Sequence, residues 1–219
     1  MQAIRALMAD GRSARHERTQ AINQARALIV TGPDELRARF AGHRPAALVE
    51  AIAGLRPRPG DVPGYATRVA LHELGRRVQF LDAQLHRLDE LIGPLVTARA
   101  PGLLALHGVG PDTAALLLVA AGDHPERLRS ESSRAHLGGV APIPASSGKV
   151  AGRYRLNRGG NREASQALWP IVITRMRSHP ATRGYVERRT REGPSKREII
   201  RCLKRYVARE VYRHLRDGA

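Results

Sequence analysis

The sequence predicts a mainly α protein: a helical and coiled-coil arm, followed by an all-helical domain with a helix-hairpin-helix element and a small β-hairpin. Three observations predict it. Leu74, Val78, Leu81, Leu85, Leu88, Ile92 and Leu95 alternate steps of four and three, an a/d seam of about three heptads. Ile199, Leu203, Val207, Val211 and Leu215 recur every fourth residue near the end of the chain. Helix-start signals stand where helices are needed, with Asn161 as a cap and Ser195-x-x-Glu198 as a capping box.

Taken in order, residues 14–30, ARHERTQAINQARALIV, read as a helix with Ile22, Ala25, Leu28 and Ile29 on one side. Gly32 and Pro33 end it, and Asp34 can cap the next. Residues 54–64, GLRPRPGDVPG, form a Pro/Gly hinge. The heptad seam follows, extendable backward to Leu71 and ending near Gly93-Pro94. It is either a core helix or a coiled coil pairing with this chain or a second one. From Pro101, an apolar turn leads through Gly108-Val109-Gly110 into a helix with Pro111 in its first turn and Gly122 at its end. ERLRSESSRAHLGG reads as a short helix stopped by Gly138-Gly139. Residues 149–156 alternate as a β-hairpin with Gly152 at its turn. Asn161 then starts a helix kinked at Pro170, and Ser195 starts the last one.

Only 4% of residues are aromatic while 42% are hydrophobic, so the core rests on Leu, Val, Ile and Ala. Formal net charge is +17, and all but three of the 37 basic residues are arginine. Residues 151–219 carry a net +12 and residues 1–150 a net +5. A uniform coding bias toward arginine does not concentrate charge in this way, so the pattern favours a nucleic-acid partner. A single cysteine, Cys202, excludes an internal disulfide and a multi-cysteine zinc site. No apolar run approaches a membrane span and no signal-peptide core opens the chain, which places the protein in the cytoplasm, on the nucleoid.

Several residues can carry chemistry. Arg197, Arg201, Arg205, Arg209 and Arg213 repeat on the same four-residue step as the apolar ridge, offset by two positions and so opposite to it. This row is a solvated face or a phosphate-binding one. Gly108, Val109 and Gly110 form the turn of a helix-hairpin-helix whose helix amides can bind a DNA phosphate; an ordinary helix connection is the plain alternative. His107 reads as a polar turn residue and Cys202 as a small helix residue. Ser146 and Ser147 stand in a Pro/Gly-rich loop near Lys149, Arg153, Arg155, Arg158 and Arg162, cations that could stabilise a phosphoryl group under attack. Gly159-Gly160 before Asn161 adds a loop-to-helix anion site. By itself SSGK is a solvated turn, and no general base stands beside it in sequence.

Resemblance bears on the choice. The run from LHGVGPDTAALLLVAAGD through HLGGVAPIPASSGKVAGRYRLNRGGNREASQALW resembles the C-terminal domain of the one-ten family of insertion-sequence transposases. These are RNA-guided serine recombinases, also called bridge recombinases. ERTQAINQARALIVTGPDELR resembles the stretch leading into that family's coiled coil. The resemblance implies a serine nucleophile at Ser147, with Ser146 as second choice, and a covalent phosphoserine–DNA intermediate. It also implies Mg²⁺ held by an N-terminal RNase-H-like domain with Asp-Glu-Asp-Asp acids, a domain absent from this chain. Asp10 lies beyond those acids and inherits no metal role.

The expected organisation is residues 1–63 as an N-terminal helical segment, 64–99 as the coiled-coil arm, and 100–219 as the transposase domain. The expected function is DNA cleavage and strand exchange by the C-terminal part of a truncated transposase. Expected partners are DNA, a guide RNA and further copies of this chain through the coiled coil. Expected DNA contacts are Gly108, Val109, Gly110, Lys149, Arg153, Arg155, Arg158, Arg162, Arg197, Arg201 and Arg205; no metal ligand is expected. The alternatives are a non-catalytic helix-hairpin-helix module that grips DNA, and a helical assembly module.

Overall fold

The computed structural model describes residues 1–60, 62–122, 130–144, 154–157 and 159–217. Ser146, Ser147, Lys149, Arg153 and Arg158 lie outside the described residues. The described residues form a mainly α fold with one small β-hairpin, in two compact units. One unit is Leu7–Glu90; the other is Leu91–Ala219 with Met1–Ala6.

In the first unit, α1 (Gln2–Thr31) lies antiparallel to α4 (Val62–Arg99), with α2 (Asp34–Phe40) and α3 (Pro45–Ala53) between them in sequence. Arg18 pairs with Asp82, Gln84 Nε2 donates to both Asp10 carboxylate oxygens at 3.1 Å, and Arg15 lies 3.7 Å from Asp89. The heptad seam therefore finds its partner within this chain. Val78, Leu81 and Leu88 are buried, and Leu71 is fully so. The facing row on α1 runs through Ala14, Ala21 and Ala25, whose small side chains admit a close approach. Gly75 is tighter still, because a β-carbon there would stand 2.6 Å from the Ala53 backbone nitrogen.

Three helix boundaries depart from expectation. The first helix begins at Gln2 rather than near residue 14. Asp34 is the first helical residue and Pro33 occupies the cap position, so Asp34 supports the helix by its charge and its 3.2 Å pair with Arg37. The seam helix runs through Pro94 to Arg99. A mid-helix proline costs ~3 kcal/mol. Burial of Ile92, Val96 and Ala100 beyond and before it offsets this, at about 1.5–3 kcal/mol for each larger side chain.

The second unit is built around α8 (Arg162–Ser178), whose Ala164, Ala167, Leu168, Ile171 and Val172 are wholly buried. It packs against α6 (Pro111–Ala121), α9 (Pro180–Arg191) and α10 (Lys196–Asp217). Short α5 (Pro101–Leu104) and α7 (Glu131–Leu137) rest on α10. The ridge Ile199, Leu203, Val207, Val211 and Leu215 is buried throughout, as its spacing requires. Asn161 Oδ1 accepts from Ala164 N at 3.0 Å. Ser195 N donates to Glu198 Oε2 at 2.8 Å, closing the capping box. Helix α9 has no counterpart in the sequence reading. Its sequence is strongly charged, and Pro180 at its start was the usable signal.

The hairpin also differs. It pairs β1 (Pro142–Pro144) with β2 (Tyr154–Leu156), antiparallel; of the hairpin expected over 149–156, only residues 154–156 are described, and Gly152 with the rest of 149–153 lies outside the described residues. A Pro-Ile-Pro strand reads poorly in sequence because proline donates nothing. Here Asn157 N donates to Ala141 O at 2.8 Å, which makes alternate pairs, including Ile143 with Arg155, the hydrogen-bonded ones. Pro142 and Pro144 then fall where no ladder donor is needed.

Candidate nucleic-acid interface

The junction between α7, the hairpin and α8 is built by backbone contact. Gly139 takes φ +62°, and a β-carbon on Gly160 would lie 2.4 Å from both Gly139 N and His136 O. Asn161 N donates to Leu137 O at 2.8 Å, joining the start of α8 to the end of α7. The Asn157 side chain turns the chain between them. Its Oδ1 accepts from Gly159 N at 2.9 Å, and its Nδ2 lies 3.0 Å from His136 Nδ1. Gly160 is thus demanded by packing rather than by an approaching anion.

This junction opens a cavity of about 870 Å³. Arg155 enters it from β2, Arg162 and Ser165 from the first turn of α8, and Arg201 from α10. No carboxylate stands among its described lining. Behind Ser165, Lys204 Nζ donates to the Ser165 carbonyl at 3.0 Å, and burial lowers its pKa. The positive end of α8 adds to the field. Three arginines from three elements, with no acid in the described lining, give the cavity a positive surface whose chemistry suits an anion.

A second cavity, of about 490 Å³, shares Arg155 and Arg201 with the first. It adds Arg189 from α9 and Arg205 from α10, and its one described carboxylate is Glu198 of the capping box. Val140, Pro142, Tyr154 and Cys202 give it an apolar side. Cys202 has a neighbour the sequence did not reveal: Tyr185, whose pKa is pushed up to about 12 by desolvation first and by the thiol second.

The structure therefore brings Arg155, Arg162 and Arg201 together and sets Arg205 beside them, while Arg197 is exposed and lines neither cavity. Gly108, Val109 and Gly110 line neither as well. Gly108 has φ +82°, with the Ile171 carbonyl and Thr174 at 3.3 Å from where a β-carbon would sit. Val109 is buried, and Gly110 faces open space. Arg175, 6% exposed, holds the turn by donating from Nε to His107 O at 2.8 Å and from Nη1 to Glu210 Oε2 at 2.5 Å. His107 Nε2 lies 2.8 Å from Ser178 Oγ.

Sequence reasoning missed Asn157, Ser165, Lys204, Arg189 and Tyr154. Asn157-x-Gly159 is an Asx-turn signature that was available. Arg189 rides on a helix the sequence reading lacked. Among the described residues no three His, Cys, Asp or Glu side chains gather where they could hold a metal ion. No helix among them is long and apolar enough to cross a membrane.

Residues 100–187 match the model of the IS116/IS110/IS902 family of transposases, a span that contains the hairpin, α8 and Arg155 and Arg162. The chain belongs to this transposase family. It is 35% identical over 161 residues to an uncharacterized 43.6 kDa protein of insertion element IS110 from Streptomyces coelicolor, covering 72% of this chain and 37% of that protein. It is 28% identical over 225 residues to an uncharacterized 42 kDa protein of IS900 from Mycobacterium paratuberculosis, covering 93% and 56%. A pilin gene-inverting protein of Moraxella bovis is 30% identical over 137 residues, covering 61% of this chain and 42% of that protein. The chain thus spans between about a third and three fifths of these relatives' lengths.

Proposed function

We propose that this chain supplies the strand-exchange part of a DNA transposase or recombinase, with Ser147 as nucleophile and Ser146 as the second candidate. One observation carries the reading: the paired residues Ile143 and Arg155 both line the arginine-rich cavity, and the serines belong to the segment joining their two strands. Ser147 is three residues from Pro144, a covalent tether of at most about 11 Å. The invertase name of one relative and the insertion-element origin of the others support DNA as the substrate.

In this mechanism the Ser147 oxygen attacks phosphorus and gives its proton to a base outside the described residues. A new oxygen–phosphorus ester forms, the bond to one deoxyribose oxygen breaks, and that oxygen takes up a proton. One phosphodiester replaces another, so attack by a second strand's hydroxyl reverses the step without an external energy source. Arg155 and Arg162 would hold the non-bridging oxygens, and Arg201 would complete the clamp. A guide RNA would select the target, as the family resemblance implies. Assembly into oligomers would use the outer face of α4, where Phe80 and Leu91 are 62% and 57% exposed, because α1 covers the seam.

The test supplies an RNase-H-like partner domain in trans with guide RNA and target DNA, and looks for a covalent protein–DNA adduct. Ser147→Ala is expected to abolish the adduct and Ser146→Ala to keep it. Equal adduct yield in both variants rejects the assignment. A second reading, passive grip of DNA backbone through the Gly108–Gly110 turn, is favoured by the open space at Gly110. It predicts salt-dependent binding with no adduct from any variant.

A further inference from the structure

The two arginine-lined cavities share a wall but differ in chemistry. The first is lined by three arginines, three glycines, Asn157 and Ser165, with Ile143 as its one large apolar side chain. The second adds two further guanidinium groups to an apolar side made by Val140, Pro142 and Cys202, with Tyr154 at its rim, 65% exposed. A phosphate alone gains nothing from that apolar side. A ligand with a flat apolar face, polar edges and an attached phosphate would use both spaces at once.

We propose that the second cavity receives an unpaired nucleobase while its phosphate rests between Arg155 and Arg201, so that the site takes a strand carrying an unstacked nucleotide rather than intact duplex. This rests on the nucleic-acid reading above and specifies the form of that substrate. Size agrees: about 490 Å³ lies within the range of roughly 300–1,000 Å³ typical of small-ligand sites. A base fits such a space and a duplex does not. Chemistry agrees as well. Tyr154 offers a ring on which any base can stack. Arg205 and Arg189, the latter held in place by its ion pair with Glu192, present planar guanidinium groups to base faces and edges. Arg155 and Arg201, common to both cavities, mark where backbone would pass from one to the other. A base already unpaired enters at less cost than one that must first leave a stack.

The experiment uses the full chain and a matched set of DNAs: a fully paired duplex, the same duplex with one bulged 2-aminopurine, and the single strand. Affinity is measured by anisotropy at fixed salt, and 2-aminopurine fluorescence reports the base's surroundings. The bulged duplex is expected to bind about tenfold tighter than the paired one, with its emission quenched on binding. Tyr154→Ala and Cys202→Phe, the second filling the cavity, are expected to bring the bulged affinity down toward the paired value. Equal affinities for bulged and paired DNA in the wild type overturn the proposal while leaving the DNA-binding reading intact. A preference that survives Tyr154→Ala also overturns it, whether or not Cys202→Phe folds. Absence of binding to all three DNAs overturns both readings together.

Discussion

Arginine serves the unit of residues 7–90 differently from the cavity beside the hairpin. In the first, Arg18 pairs with Asp82, Arg15 with Asp89, and Arg68 with Glu35 at 2.7 Å. These pairs are largely solvated and are worth about 0–1 kcal/mol each, so they align α1 and α2 with α4 while the apolar seam supplies stability. In the second, Arg155, Arg162 and Arg201 face a cavity whose described lining has no acid. Their mutual repulsion is an unfavourable term that an incoming phosphate would relieve. The same residue type thus organises helices where acids accompany it and leaves a positively lined cavity where they do not.

The sharpest break of this comparison separates core from cavity. Leu168→Ala, at a wholly buried position on α8, is expected to lose about 2–5 kcal/mol in denaturant unfolding. Replacing Arg155, Arg162 and Arg201 by Gln should leave the melting midpoint nearly unchanged. It should instead weaken DNA binding and lower the slope of log affinity against log salt by about one per residue. An unchanged slope would mean these arginines are only a solvated face.

Two glycines sharpen it further. Gly160→Ala drives a β-carbon into Gly139 and His136 backbone and is expected to cost about 1–3 kcal/mol or more. Gly110→Ala meets open space at φ −97° and should stay within roughly 0.5 kcal/mol. The reverse order would remove the packing account of Gly160. Ser195→Ala removes the hydroxyl that donates to Glu198 Oε2 at 2.7 Å and accepts from Glu198 N at 3.4 Å, and should lose about 1 kcal/mol with DNA affinity unaffected.

The smallest effect concerns Tyr212, 1% exposed, whose hydroxyl meets no partner among the described residues. Burial raises its pKa above the ordinary value near 10. The unfolded chain therefore ionises first as pH climbs, and this contribution to stability, intact below about pH 10, falls away above it. Tyr212→Phe should be close to neutral at pH 7, and its alkaline unfolding, followed by circular dichroism, should be less steep.

Much of the fold was legible because periodicity and capping are local. The α10 ridge, the Ser195 box, the Asn161 cap and the Gly108 turn all rest on residues within a few positions of one another. What escaped was non-local. Pro94 reads as a stop until the burial of Ile92 and Val96 is known. The strand at Pro142–Pro144 reads as a loop until register shows that its prolines face away from the ladder. Helix α9 has too few apolar residues to announce itself. In the candidate site, Arg155, Arg162 and Arg201 were legible as cations, but Arg189, Ser165 and Lys204 carried no signal before α8, α9 and α10 were packed together.

By itself the amino-acid order determined that this chain is helical, rich in arginine toward its end, and similar to a transposase family, since those properties need only spacing, charge and short motifs. Only the tertiary structure decided that Leu71 and Val78 of the heptad seam pack against the chain's own earlier helices, and that three arginines spread over 47 positions converge on one cavity with no acid in its described lining. The physical reason is that convergence depends on the angles at which separate helices pack, and those are set by burial summed over the whole unit rather than by any neighbouring residues.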